Sequence, residues 1–192
     1  MKASILILAL LTSASALADS SAQVNDTATI NNSGSNYRGN QLINQAAGDQ
    51  QQQINSRSIA IGTQAATHDN LSQTRSGQLD PSINAKAQIL GNSFTNGSGS
   101  LGVNQSAGAG NQMINVMRVS ISAQPQSMDD SALLQQNVAL SNNSGATDPQ
   151  SGSRQVVTGD QAFTGSRGVT QLNQSAGVGN RMANTLSIRV AD

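Results

Sequence analysis

Side chains able to do covalent chemistry are few and badly placed. His68 is the only histidine and stands beside Asp69. A Ser-His-Asp triad would have to be built on it, and a metal site would combine one imidazole with scattered aspartates. Its polar surroundings make it a solvated linker residue. Asp129 and Asp130 pair two carboxylates, but no acid/base partner is visible, and they read as a solvated pair. Gly108-Ala109-Gly110 and Gly177-Val178-Gly179 look like pieces of a phosphate-binding loop, yet lack its Lys and following helix. They read as turns. The calcium β-roll pattern G-G-x-G-x-D does not occur. No catalytic residue, metal, cofactor or small-molecule substrate is therefore expected.

The residues with informative spacing are amides, whose chemistry is hydrogen bonding. Three cores recur: Asn44-Gln45-Ala46-Ala47-Gly48, Asn104-Gln105-Ser106-Ala107-Gly108 and Asn173-Gln174-Ser175-Ala176-Gly177. Five residues before each leading Asn stands Gly39, Gly99 or Gly168, and eleven after it Asn55, Asn115 or Asn184. Gly34, Phe94 and Phe163 stand five residues before those glycines. A buried amide is costly unless paired. Copies stacked at about 4.8 Å would let each Asn or Gln bond its counterpart along the axis, and a slip would leave it unsatisfied. Replacing Asn115 and Asn184 by Asp should then slow or abolish assembly, by placing like charges in one column.

The elements that must hold these amides are strands. After each core, alternate positions read Gln53, Asn55, Arg57, Ile59, Ile61; then Met113, Asn115, Met117, Val119, Ile121; then Met182, Asn184, Leu186, Ile188, Val190. Period-two alternation marks a half-buried strand. It predicts an apolar column of Met113 over Met182, Val119 over Ile188 and Ile121 over Val190, completed by Ile59 and Ile61. Gln53 and Arg57 depart from it, so copy one is expected to be a terminal, capping or less ordered unit. A shorter strand precedes each turn (Leu42–Gln45, Val103–Gln105, Leu172–Gln174), and Gly48, Gly108, Gly110, Gly177 and Gly179 permit the reversal. Upstream, Ile30 and Leu90 both precede the leading Asn by fourteen residues and mark a further strand. Its third copy, at Val156 and Val157, carries a small insertion.

The expected architecture is all-β, a β-solenoid of stacked strand–turn–strand repeats in three rungs with irregular linkers, cross-β when assembled. The divisions are a signal peptide at 1–18, repeat 1 at 19–62, a linker at 63–82, repeat 2 at 83–122, a linker at 123–153 and repeat 3 at 154–192. Leu133, Leu134, Val138 and Leu140 in the second linker suggest a short strand or helical turn. Pro81, Pro125 and Pro149 all fall outside the repeats.

Composition agrees. Every acidic residue is Asp, aromatics are 2% of the chain and Cys is absent. Helix propensity is poor, large side chains for a conventional core are scarce, and neither disulfides nor Cys-held zinc is available. Met1-Lys2, an apolar run Ile5–Leu11 and Ala16-Leu17-Ala18 make a secretory signal, with cleavage expected after Ala18. The formal charge is +0. No basic face exists to displace nucleic-acid counterions, and little repulsion opposes association.

The motif Gly-x-x-x-x-Asn-Gln-x-Ala-Gly-x-Gly-Asn from Gly168 to Asn180, with Met-Ala-Asn-Thr-Leu-Ser-Ile at 182–188, resembles the repeat of the functional amyloid in Pseudomonas (Fap) fibre subunits. The resemblance covers the three repeats. It implies a biofilm-matrix fibre on the cell surface, export through the periplasm and a dedicated outer-membrane pore, and association with self and homologous fibre subunits. The major subunit of that family tends to carry a C-x-x-C pair near its end. Its lack here points to a minor or nucleating subunit, or a secreted accessory component. The leading expectation is thus a fibre subunit or nucleator. A monomeric secreted or periplasmic accessory, chaperone or adhesin comes second, and an enzyme last. Residues 44, 45, 55, 104, 105, 115, 173, 174 and 184 would carry the stacking.

Overall fold

The computed structural model describes residues 23–123 and 152–191. The expected leader at 1–18, the Asp129-Asp130 pair and the apolar residues at 133, 134, 138 and 140 lie outside them. Nine strands follow in order: β1 (Asn25–Asn31), β2 (Arg38–Ala47), β3 (Gln52–Gly62), β4 (Asn84–Leu90), β5 (Ser98–Ala109), β6 (Gln112–Ser122), β7 (Arg154–Thr158), β8 (Arg167–Val178) and β9 (Arg181–Ala191). They form three three-stranded sheets, β1-β4-β7, β2-β5-β8 and β3-β6-β9, parallel at every pairing. Each repeat contributes one strand to each sheet, so the molecule is a solenoid of three rungs. Within a rung the strands on either side of the turn do not pair with each other. Their backbone groups pair instead with the neighbouring rungs, on both flanks for the middle rung and on one flank for the outer two.

The three sheets lie in layers, with β2-β5-β8 in the middle. Gln105 Nε2 reaches Gln88 O at 2.9 Å on the first sheet, while Asn104 Nδ2 reaches Ile54 O at 2.9 Å on the third. Odd positions of β5 therefore face one neighbour and even positions the other. This explains why β5 is buried from Ser100 to Ala109 while β4 alternates buried and half-buried residues: a strand covered on both faces loses the two-residue rhythm.

Between the first two layers sits the apolar core of Ile30, Tyr37, Ile89, Phe94, Leu101 and Val103, continued by Ala28, Ala85, Ala87 and Ala107. Each large member contributes about 1.5–3 kcal/mol by burial. At the corner between β4 and β5, Phe94 lies against Gly34 of the first rung, where an added Cβ would meet its ring at 2.7 Å, and stacks on Phe163 of the third at 5.2 Å. Gly34, Phe94 and Phe163 all have positive φ (69°, 58° and 64°). Their common place in the three copies is a shared left-handed corner.

Three expectations change in detail. Ile30 pairs with Ile89, not Leu90, which lies beside Asn31. Ile89 is the residue on the face turned to the core, at 0% exposure. The extra residue is taken up in the corner at 91–93, where Gly91 has φ +60°. The length change accordingly separates copy one from copy two. Copies two and three keep one register from Ala85↔Arg154 to Ser122↔Ala191, so Val156 and Val157 carry no insertion. The predicted apolar column keeps its register but not its burial. Met113 is at 0%, whereas Ile59 (55%), Ile61 (73%), Ile121 (39%), Ile188 (37%) and Val190 (49%) are exposed. These residues lie near the far ends of β3, β6 and β9. The middle strands are only beginning there, at Arg38, Ser98 and Arg167.

Candidate functional site: amide columns through the stack

The recurring amides form continuous ladders. Asn104 Nδ2 donates to Asn44 Oδ1 and Asn173 Nδ2 to Asn104 Oδ1, both at 3.0 Å. Asn115 donates to Asn55 at 3.0 Å and Asn184 to Asn115 at 3.1 Å. Gln105 donates to Gln45 at 2.7 Å and Gln174 to Gln105 at 2.8 Å. The sequence spacing of eleven places the two asparagine columns face to face between the second and third layers. Asn55, Asn115 and Asn184 each donate to Asn44, Asn104 and Asn173 of their own rung, at 2.8, 3.0 and 2.9 Å.

Asn115 is the hub of this double column. Its Nδ2 also reaches Val103 O at 3.1 Å, and its Oδ1 accepts from Asn173 and Asn184, both at 3.1 Å. It is fully buried, as are Asn104 and Gln105. Asn44 at the edge rung is exposed. The glutamine column works on the other face, each amide also donating to backbone carbonyls of the first sheet: Gln45 to Thr29 O at 2.8 Å, Gln174 to Val157 O at 2.9 Å. Of the aliphatic partners, Met113 sits over Met182, Val119 over Ile188 and Ile121 over Val190.

The turns hold a further amide column that spacing alone missed, because copy one supplies Gln where the others supply Asn. Gln51 Nε2 donates to Gly108 O at 2.5 Å. Asn111 Nδ2 donates to Gly177 O at 3.1 Å, and Asn111 Oδ1 accepts from Asn180 Nδ2 at 2.9 Å. The carbonyls they use belong to stacked glycines. Gly48, Gly108 and Gly177 have φ +97°, +104° and +127°, and a Cβ on Gly108 would lie 2.0 Å from Gly177 O. Positive φ and closeness to the next rung both demand glycine. Gly110 and Gly179, at φ +65° and +70°, close the reversal.

Two charged residues from the sequence have structural work. Residues 63–82 run as a strap across the outer face of β3 and β6. His68 in it is exposed, but its neighbour Asp69 pairs with Arg118 Nε at 3.0 Å, with both side chains largely shielded. Ser58 and Ser56 donate to Asp69 at 2.7 and 3.2 Å, and Gln73 Nε2 reaches Met113 O at 3.1 Å. Burial pushes the Asp69 carboxyl up, but the hydrogen bonds from Ser58, Arg118 and Ser56, with the Arg118 charge, hold it below the ordinary carboxylate value. A depressed folded-state pKa contributes stability above the unfolded value and loses it as pH falls through the folded one. Asp69→Ala is expected to cost about 1.5–3 kcal/mol at neutral pH. The gap to wild type should narrow in acid, as read from urea midpoints at the two pH values. A cost independent of pH would show that the carboxylate is not what holds the strap.

Arg57 replaces the Met117 and Leu186 of its column. It does not disorder the first rung. Gly102 leaves a gap in the middle rung, where a Cβ would meet Arg57 Nη2 at 2.9 Å, and through it Arg57 Nη1 donates to Gln171 Oε1 of the third rung at 2.5 Å. Burial pushes the guanidinium below its usual range. The site is thus a set of hydrogen-bond columns parallel to the stack. Among the described residues no group of three or more His, Cys, Asp or Glu side chains gathers to hold a metal.

The columns hold whole rungs in one register. No solved structure matches the chain. The family model for the functional amyloid protein FapB/FapC family matches residues 9–191. With nearly the whole length covered, the chain belongs to the functional amyloid protein FapB/FapC family, whose members are structural and non-enzymatic.

Proposed function

We propose that this chain is a minor or nucleating subunit of an extracellular biofilm fibre, carried through the periplasm and an outer-membrane pore and joining both itself and homologous subunits. Family membership already implies an amyloid fibre component that self-assembles outside the cell. The observation that carries the finer reading is the state of the edges. The outer strands β1, β2 and β3 on one side, and β7, β8 and β9 on the other, pair on one flank only among the described residues. Among the described residues both ends thus present open ladders with amide columns in register. Such an edge templates another strand. The cysteine-free sequence supports a role other than that of a C-x-x-C-bearing major subunit.

The test is kinetic. Full-length chain at neutral pH should form seedable fibres with cross-β diffraction, and a substoichiometric amount should shorten the lag phase of a cysteine-containing major subunit. Fibres without any effect on that lag would remove the nucleating role. A persistently monomeric, cooperatively unfolding species would favour the accessory reading.

A further inference from the structure

The two ends of the stack carry opposite charges in one column. Asp26 of the first rung pairs in register with Ala85, and Ala85 with Arg154 of the third. Both charged side chains lie against the glycine column at the turn. A Cβ on Gly48 would meet Asp26 Oδ2 at 2.3 Å, and one on Gly177 would meet Arg154 Cδ at 2.9 Å. Ala85 offers neither of them a polar partner. Asp26 Oδ2 is enclosed and accepts no hydrogen bond among the described residues. Among the described residues Arg154 reaches Pro81 O, at 3.4 Å, and it is exposed.

We infer that the fibre junction is head-to-tail, with the third rung of one copy seated on the first rung of the next, and that Arg154 meets Asp26 across it to set polarity and register. This rests on the fibre reading above. Continuing the stack by one more step of about 4.8 Å lays Arg154 over Asp26, beside Asp49. The same step prolongs every amide column, with Asn173 over Asn44, Gln174 over Gln45 and Asn184 over Asn55. Arg154 supplies the hydrogen bonds that Asp26 lacks inside one molecule. Burial and the charge of Asp49 push the Asp26 carboxyl up, so a cation placed there relieves an unfavourable site. The reverse arrangement, first rung against first rung, is two-fold and either runs the facing strands antiparallel or sets the first layer on the third, so it breaks the in-register amide columns and leaves Asp26 without Arg154. One like-charged pair does fall at the head-to-tail junction, Arg167 over Arg38. Both are exposed at strand starts, where solvent screens them. A translation that maps one end on the other gives an open, non-closing assembly.

Charge exchange tests this in the full-length chain. Asp26→Arg sets Arg against Arg at the junction, and Arg154→Asp sets Asp against Asp. Each variant alone should elongate its own seeds at least about tenfold more slowly than wild type, because juxtaposed like charges oppose docking. An equimolar mixture of the two should recover, since each junction then joins unlike charges, and so should the double variant D26R/R154D. Recovery on mixing cannot come from two misfolded chains. Single variants that elongate within about twofold of wild type, or a mixture no faster than its components, would overturn the junction while leaving the fibre reading intact. A wild-type chain that never elongates would overturn both.

Discussion

Asn115→Asp is expected to lower stability by about 3–5 kcal/mol at neutral pH. Asn115 is completely buried, and its amide hydrogens face oxygens of Asn55, Asn104 and Val103. A carboxylate would point negative charge at those same oxygens. Burial favours the neutral acid, which carries one O–H where the amide carried two N–H, so at least one acceptor loses its donor. The sign of the pH dependence follows. A carboxyl whose pKa is raised in the folded state destabilises progressively as pH rises from the unfolded value of about 4 towards the folded one. The deficit should shrink near pH 4 and be full at pH 7, as read from urea midpoints. Adding Asn184→Asp extends the damage to the outer rung, and seeded elongation should slow or stop. A midpoint unchanged at pH 7 would mean that the column adds nothing to stability.

Phe94→Ala is the second large effect, also about 3–5 kcal/mol. The ring is fully buried, fills the recess left by Gly34 in the first rung and stacks on Phe163 in the third. It thus ties three rungs at one corner. Truncation removes the ring yet keeps the left-handed φ of 58°, so no backbone relief offsets the cavity. Phe163→Ala should cost less than half as much, because Phe163 is only half-buried and its loss leaves Phe94 seated on Gly34. Equal losses in chemical denaturation would contradict the stacked-corner account.

The asparagine and glutamine columns were legible because identical amides recur at identical offsets, and a parallel in-register stack is the arrangement that satisfies all of them. The period-two pattern of β3, β6 and β9 gave their register correctly for the same reason. Alignment slipped where the copies differ in length: the equal distance to the leading Asn put Ile30 with Leu90, while the core chose Ile89. The burial of Ile59, Ile61, Ile121, Ile188 and Val190 was misjudged because alternation reports which residues share a face and not how far the facing strand extends. The turn amides Gln51, Asn111 and Asn180 escaped because a Gln and two Asn do equivalent work through different side-chain lengths.

The amino-acid sequence by itself determined the rung: three copies, strands rather than helices, glycine at the reversal, and columns of amides that tolerate no slip. Each of these depends on local conformation or on like residues meeting like, so it repeats visibly along the chain. Only the tertiary structure decided the layering, the strap that buries Asp69 against Arg118, the passage of Arg57 through the Gly102 gap to Gln171, and the placing of Asp26 and Arg154 at opposite ends of one column. Those arrangements pair unlike residues far apart in the chain and occur once each. Their energy comes from shared burial and charge, which no periodicity records.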